Sequence, residues 1–572
     1  MSAITLSESR RRLLAHDCAL ITIMAVLAAC GLIYEYLLSH FAARILGAIE
    51  TTLYAMIGLM IVAMGLGSLT AKYLKKPFSS FAWLEVIVAL LGMSSILIIA
   101  ALLAFTHELP QLIAQHYQLP DGISLHGFSE KLDDVVYLMP FIMGFILGFL
   151  IGMEIPLIAR IRQQLYGQYL ENNAGTIYGV DYIGAGVGAV IWISVMLSMD
   201  IVDAAVATAL FNIAAGMVFV ILHFNTIRHA WFVVAGHVLT FMIALVLFFS
   251  GKAWMHDLSN VLYQDEVVLS YSTDFQHLTI TERQFSDLAP VNDFFINGRL
   301  QFSTSDEHIY HSMLVYPAML ASARREKILI IGGGDGLALR DVLRWQEVKQ
   351  VTLIDLDRKL VNLFAGEDER YPDLSQRFLK LNESAFQDPR LELIFGDAFV
   401  ELRQLEYRQS LYDTIIVDLP DPHHPDLNNL YSTAFYTRLR GLLAGDGAIV
   451  IQSTSPYHAK FAFQSIGKTV KSSGFSQVQQ YRQNVPSFGE WGWTIATKMG
   501  ASPQNRIEQW SDFPVEDNWL TRPILLAAFE FPKDFYSNIR EIKVNELGSG
   551  VLFQYHDKAW RQDDGHLWLK NQ

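Results

Sequence analysis

Residues 327–357 read KILIIGGGDGLALRDVLRWQEVKQVTLIDLD. Residues 328–331 are a short apolar run, the form taken by a buried parallel strand. Gly332, Gly333, Gly334 and Gly336 follow, letting the backbone turn sharply and leaving room for a ligand against it. Residues 337–345 have helical spacing, and residues 351–354 form a second strand ending in Asp355. Strand, glycine turn, helix and an acid about twenty residues on make the first half of a doubly wound nucleotide site, with Asp355 placed to accept ribose hydroxyls.

The glycine pattern is not the dinucleotide one. Leu337 stands where GxGxxG needs its last glycine, and no pyrophosphate is implied. Asp335 puts an anion at the mouth of the turn, which repels phosphate and attracts a cation. One reading is a nucleoside carrying positive charge, such as a sulfonium or an amine. The other is a generic Rossmann turn in which Asp335 caps the helix.

The chain has 572 residues, 52% hydrophobic and 17% charged, too long for one ordinary domain and too apolar for a fully soluble protein. The excess lies in residues 1–250, whose long apolar runs carry almost no charge, as bilayer spans require. Expected spans are 18–38, 51–71, 82–105, 136–158, 177–198, 202–222 and 231–250. The polar start, with Arg10, Arg11 and Arg12 before the first span, reads as an uncleaved anchor and not a signal peptide. The expected domains are a helical membrane domain (1–250), a small β module with a first helix (251–320), a Rossmann-like core (321–500) and a tail (501–572). Cys18 and Cys30 are the only cysteines, so the part after residue 250 has neither a disulfide framework nor a cysteine metal site.

Net charge is −14; residues 1–250 hold 11 Lys+Arg against 15 Asp+Glu, or −4, leaving −10 for the rest. An acidic soluble domain argues against nucleic acid and suits polycationic substrates, although solubility also explains it. Gly144, Gly148 and Gly152, then Gly184, Gly186 and Gly188, read as close helix packing. Glu35, Glu85, Glu154 and Asp181 fall at or near membrane depth, where carboxylates are costly. Each either reaches the interface, pairs with an arginine, or belongs to a cation pathway or amine cavity. A polar loop at 106–134 separates the third and fourth spans. Lys72, Lys75, Lys76, Arg160, Arg162 and Arg228 join the N-terminal arginines on one side of a seven-span arrangement, making that side cytoplasmic. The domain after residue 250 then lies opposite, whereas a cytosolic nucleoside calls for the cytoplasmic side. The expected location is the cell membrane, multi-pass (the inner membrane in a Gram-negative bacterium), with the side of the catalytic domain open.

Strands are expected at 267–270 and 277–282, and an Asn-Gly hairpin within 294–301. Residues 305–320 read as a helix capped by Ser305, with Tyr310 and His311 near its start. Further strands are expected at 391–395, 414–417 and 448–452. Ligands of open parallel sheets bind beyond the carboxyl ends of the strands. Asp335, Asp355, Asp397, Asp418 and Asp421 all stand at or just past such ends. Their mutual repulsion needs cations to offset it. A divalent metal is one source, but the ligands are not tightly grouped in sequence; a polyamine supplies the same charge, and no metal is expected.

The motifs from residue 263 to 497 resemble the polyamine aminopropyltransferase (spermidine synthase) family, in family order. They are TDFQHLTI (273–280), INGRLQ (296–301), DEHIYHSM (306–313), IGGGDG (331–336), LIDLD (353–357) and DPRLELIFGDA (388–398). YDTIIVDLPDP (412–422), LYSTAFY (430–436) and VPSFGEWGW (485–493) follow, and GMEIPLIAR (152–160) resembles the membrane-anchored branch. The resemblance implies a multi-pass α-helical membrane domain followed by an α/β Rossmann-like, methyltransferase-type domain of seven strands with a small N-terminal β-structure. It implies transfer of an aminopropyl group from decarboxylated S-adenosylmethionine, a co-substrate with no bound cofactor, to putrescine or a related amine. It also leaves a homo-oligomer open. By motif, Gln276, Gly332, Gly334, Asp355, Asp397, Ala398 and Pro425 would meet the nucleoside. Tyr310, His311, Asp335, Asp418, Leu419, Pro420 and Asp421 would meet amines, with Asp418 as proton acceptor. Asp335 would attract the donor's free ammonium and repel the carboxylate of ordinary S-adenosylmethionine. Departures are Asp355 where many relatives carry Glu, the pair His423-His424 before Pro425, and Phe488 where relatives often carry Tyr. The competing readings are a polyamine transporter or sensor whose Rossmann domain only binds, and an ordinary methyltransferase.

Overall fold

A computed structural model describes residues 2–46, 49–116, 138–167, 173–263, 265–285, 289–425, 427–515, 517 and 519–563. The chain folds as two compact units, Met1–Val267 and Val268–Gln572. Most of the expected polar loop at 106–134 lies outside the described residues.

The first unit is helical. Among the described residues, seven stretches are long and apolar enough to cross a membrane: Ala15–Ala43, Thr52–Tyr73, Pro77–Thr106, Met139–Tyr166, Asn173–Ser194, Ile201–Leu222 and Ala230–Tyr263. The last helix runs thirteen residues past the expected boundary at 250, and the fourth stretch is two helices, Met139–Ile151 and Glu154–Tyr166. Glycines set the packing. A Cβ on Gly152 would sit 2.1 Å from Met64 O, and one on Gly184 would sit 2.3 Å from Ala25 O, so these helices meet backbone to backbone. Gly148 and Gly188 are similarly confined by backbone, Gly144 is confined by the Met56 side chain, and Gly186 has nothing within 4 Å. Of the acids at depth, Glu35, Glu85 and Glu154 are buried. Glu85 accepts a hydrogen bond from Asn212 Nδ2 at 2.7 Å. Arg162 is buried and binds Asp17 through two 2.8 Å bonds.

Two sheets form among the described residues of the second unit. The small one has the order β1-β2-β3-β4, with β1 Glu266–Ser272, β2 His277–Arg283, β3 Val291–Ile296 and β4 Arg299–Ser303. Asn297 and Gly298 make its expected tight turn, at φ 51° and 76°, the left-handed pair that matches strand twist. The next helix is Glu307–Ala321, and its N-cap position is Asp306, not Ser305. The Ser305 hydroxyl is shared with Ser303 at 2.8 Å, and Asp306 spends its carboxylate on Ser487 N and Oγ at 2.6 and 2.8 Å.

The larger sheet has seven strands. They are β5 Lys327–Gly332, β6 Gln350–Asp355, β7 Leu391–Phe395, β8 Tyr412–Asp418, β9 Leu443–Gln452, β10 Gln477–Val485 and β11 Gly489–Thr497. Their order is β10-β11-β9-β8-β5-β6-β7. β5 to β9 run parallel, and β10 and β11 close one edge as an antiparallel hairpin. Along β5, Ile328 and Ile330 enter the core on one face while Leu329 and Ile331 enter the core on the other. All four are fully buried, each worth about 1.5–3 kcal/mol of transfer free energy. From β5 the chain moves to β6 and β7 on one side, then returns to β8 and β9 on the other. The crevice of such a sheet opens where the order reverses, between β5 and β8. There Gly332 and Asp418 are register partners.

Candidate active site

A cavity of about 900 Å³ opens over these strand ends, within the usual range for small-molecule sites. The glycine turn forms its floor. Gly332 has φ +77°, and a Cβ there would lie 2.0 Å from Asp418 O. A Cβ on Gly334 would lie 2.7 Å from Asp355 Oδ2. Any side chain at either position would displace an acid of the site.

Gln276, Gly332, Gly334, Asp355, Asp397 and Ala398 all line the cavity. Asp355 Oδ1 accepts Asp357 N at 2.8 Å, and desolvation pushes its carboxyl up to about 7. Gln276 donates to Asp357 Oδ2 at 3.0 Å, which ties the β2 edge to the end of β6. Asp397 caps the following helix, Ala398–Tyr407, through Phe399 N at 2.7 Å. Pro425 is the exception among the expected nucleoside contacts. It does not line the cavity; Leu419, Pro420, Asp421, His423 and Leu427 do, and Pro425 turns the chain by accepting Asn428 N at 3.1 Å.

The other end is acidic. Ligand atoms of His311, Asp335 and Asp418 lie within 4.8 Å of one another. Asp335 Oδ1 also accepts Leu337 N at 2.8 Å, although the N-cap position of the helix Leu337–Leu343 is Gly336 and not the expected Asp335. Tyr310 Oη donates to Asp418 Oδ1 at 2.7 Å. His311 Nδ1 lies 2.9 Å from Glu307 Oε2, and Arg340 spans both Glu307 oxygens at 2.8 and 3.1 Å while its Nε reaches Asp341 at 2.9 Å. Burial alone would lower the His311 pKa, but Glu307 raises it to about 9. Burial likewise opposes ionisation of Glu307, but His311 and Arg340 hold it at about 2. Behind the site His311, Arg340 and Arg344 face Glu307 and Asp341, with Arg344 3.2 Å from Asp341, and in front Asp335 and Asp418 share His311 as the one cation near both among the described residues. Desolvation first, then Asp335, raises Asp418 to about 6. The raised pKa of His311 favours the imidazolium, which has no lone pair for a metal, so the group suits an incoming ammonium better than a divalent ion.

Asp421 also lines the cavity, with Leu419 and Pro420 between the two acids. It accepts Gln452 Nε2 at 2.7 Å, Thr454 Oγ1 at 3.0 Å and His556 Nε2 at 3.1 Å. Burial opposes its charge, but the donors led by His556 hold its pKa below the ordinary carboxylate value. His423 faces the cavity with its pKa lowered to about 3, by burial first and Arg299 second. Phe488 and Trp491 wall the cavity, with ring centroids 5.2 Å apart, and Phe488 meets Tyr310 edge-on at 6.0 Å. The Glu307–Arg340–Asp341 network, Gln452 and His556 were not among the expected site residues. Glu307 and Arg340 lay inside quoted or adjoining stretches, about one helical turn from His311 and Asp335; Gln452 ended an expected strand, and His556 had no local signal.

Fold and site together define an α/β enzyme of the Rossmann-like type with an acid-lined cleft. A family model described as the spermine/spermidine synthase domain matches residues 307–509. The polyamine aminopropyltransferase of Shewanella oneidensis is 52% identical, covering 96% of each chain. Polyamine aminopropyltransferase 1 of Streptomyces coelicolor is 33% identical, covering 93% of each. Among solved structures, spermidine synthase in complex with the transition-state analogue AdoDATO is similar at 25% identity and TM-score 0.42, over 48% of this chain and 88% of that one. The chain belongs to the polyamine aminopropyltransferase family and is a transferase.

Proposed function

We propose that this chain moves the aminopropyl group of decarboxylated S-adenosylmethionine to putrescine, giving spermidine and methylthioadenosine. The observation that carries this is the pair Asp335 and Asp418, two neighbouring carboxylates beside a single histidine, in the same cleft as Asp355. Asp355, Gln276 and the Gly332–Gly334 backbone hold the nucleoside, with Asp397 and Ala398 on the far side. Asp335 takes the donor's terminal ammonium. Asp418 and Asp421 hold the two ends of the diamine, with Leu419 and Pro420 along its methylene chain.

The carbon beside a sulfonium is already activated, so alignment supplies most of the catalysis. The neutral amine attacks that carbon, the C–S bond breaks with its electron pair leaving on sulfur, and the proton lost by the attacking nitrogen passes to Asp418. An amine of pKa ~10 is mostly protonated in water, which is why a carboxylate must hold it and take the proton.

The helical unit anchors the enzyme in a bilayer. Its helices turn Ile193, Phe211, Leu239 and Phe249 outward, each at least 63% exposed, which suits lipid and not water.

The test is a donor-by-acceptor product assay on the full chain in detergent, read by mass spectrometry. Spermidine and methylthioadenosine from the decarboxylated donor and putrescine are expected. Methyl transfer from S-adenosylmethionine in excess of aminopropyl transfer would overturn the reading.

A further inference from the structure

The family domain match stops at residue 509, yet the segment beyond it reaches the cavity. Leu547 lines the cavity directly. His556, on the helix Val551–Asp563, is 1% exposed and its Nε2 lies 3.1 Å from Asp421 Oδ2. Asn545 is fully buried and donates through Nδ2 to Asn428 O at 2.8 Å and Tyr431 O at 3.1 Å. Its carbonyl accepts Thr433 N at 3.0 Å, and Phe553 N donates to Asn428 Oδ1 at 3.1 Å. Asn428 and Tyr431 belong to the short turn Leu427–Tyr431, whose Leu427, Asn429 and Leu430 line the cavity, and Thr433 opens the helix just after it. Tyr431 Oη in turn donates to Pro420 O at 3.0 Å, between the two acids of β8's end. The tail thus touches the 418–421 loop by two routes, one through the turn and one through the Asp421 carboxylate.

We propose that the segment beyond residue 509 is a working part of the acceptor-amine site, with His556 a positioning residue that fixes the Asp421 carboxylate. The inference rests on the functional reading above. Asp421 has three donors, and two of them, Gln452 and Thr454, come from the end of β9 and the residues just after it. They hold the carboxylate from the sheet side; His556 holds Oδ2 from the tail side. A carboxylate gripped from both sides keeps one rotamer, and an ammonium then meets it without reordering cost. Loss of His556 leaves the carboxylate charged and held by Gln452 at Oδ1 and Thr454 at Oδ2, with nothing fixing it from the tail side. That weakens the hold on the amine while leaving the nucleoside end, built from other strands, unchanged.

The test is steady-state kinetics on the full chain with both substrates varied. His556→Leu should raise the KM for putrescine about tenfold, the loss expected for one hydrogen bond to a charged group, with the donor KM and kcat changed by less than about threefold. His556→Gln, whose amide can donate to the same oxygen, should restore most of the lost affinity. In an Asp421→Asn background the His556→Leu change should add nothing, because its effect runs through that carboxylate. An unchanged amine KM overturns the inference, as does a glutamine variant no better than leucine, or a donor KM that rises in step. If the leucine variant does not fold, His556→Asn, polar but too short to reach Asp421, must give the same KM split. Wild-type chain that makes no spermidine overturns this inference together with the functional reading; normal wild-type turnover without the KM split overturns this inference alone.

Discussion

The Tyr310 hydroxyl binds Asp418 Oδ1 at 2.7 Å and leaves the second oxygen beside the glycine turn, where a Cβ on Gly333 would come within 3.4 Å of Oδ2. The two residues are 108 positions apart in sequence. One carboxylate oxygen is thus occupied by the protein, and the other is offered to the cavity.

That division sets a pH dependence. Desolvation and Asp335 raise Asp418 to about 6, while His311 and the Tyr310 bond pull the other way. The base works only when ionised, so kcat/KM for the amine should fall as pH drops through about 6. Tyr310→Phe removes a contact that favours the charged form. The acid limb should move upward by about one unit, the equivalent of one charge-assisted bond of ~1.4 kcal/mol. A pH–rate profile of the two proteins checks this; a limb that stays or moves down refutes it.

Asp418→Asn keeps shape and removes the proton acceptor. Methylthioadenosine release should drop by about 10²–10⁴-fold, the usual range for a general base, while donor binding by titration stays close to wild type. Retained turnover would take the role away from Asp418.

Glu307→Gln should destabilise the α/β unit by about 3–5 kcal/mol, because Arg340 and His311 would lose the anion that balances them in the interior. Hydrogen exchange of the helix Glu307–Ala321 in the full chain reads the effect. The wild-type pH dependence has a definite sign. The folded pKa of His311 is raised to about 9 from 6.5, so its stabilisation is complete below pH 6.5 and is lost as pH rises through 9. Glu307 is lowered to about 2 from 4.5, so its share is present above pH 4.5 and lost as pH falls through 2. Exchange in that helix should therefore accelerate between pH 6.5 and 9 beyond the intrinsic chemical rate, and His311→Gln should flatten the excess.

Chelators should leave turnover unchanged. His311 Nδ1 is held by Glu307 and its pKa is raised to about 9, so a divalent ion would have to displace a proton from the imidazolium before that ring could ligate it. Loss of activity on dialysis against a chelator, with recovery on adding a divalent ion, would make the cluster a metal centre.

Much of the α/β unit was legible because its signals are local. A four-residue apolar run, a glycine turn and an acid at the next strand end repeat the same geometry, so Asp335, Asp355, Asp397 and Asp418 could be placed at one edge of a sheet. Helix limits were less legible. Asp306 and Ser305 are both good caps by type, and the choice between them depends on Ser487, 181 residues away, which takes the Asp306 carboxylate. Pro425 belongs to a matching motif but turns the chain outside the cavity lining. His556 could not be read at all: nothing near it in sequence marks it, and its partner lies 135 residues earlier. The helix Ala230–Tyr263 overran its expected end because polar residues from Lys252 onward do not break a helix; they only end its apolar character.

Asp335 is tethered to Leu337 N–H at the head of a helix, so its carboxylate cannot swing aside for a second negative group. Under the proposed reading, discrimination between the two sulfonium metabolites is then a static filter, acting at the moment of encounter without any moving gate. Such a filter needs no conformational step, so selectivity follows from the charge of the incoming group alone.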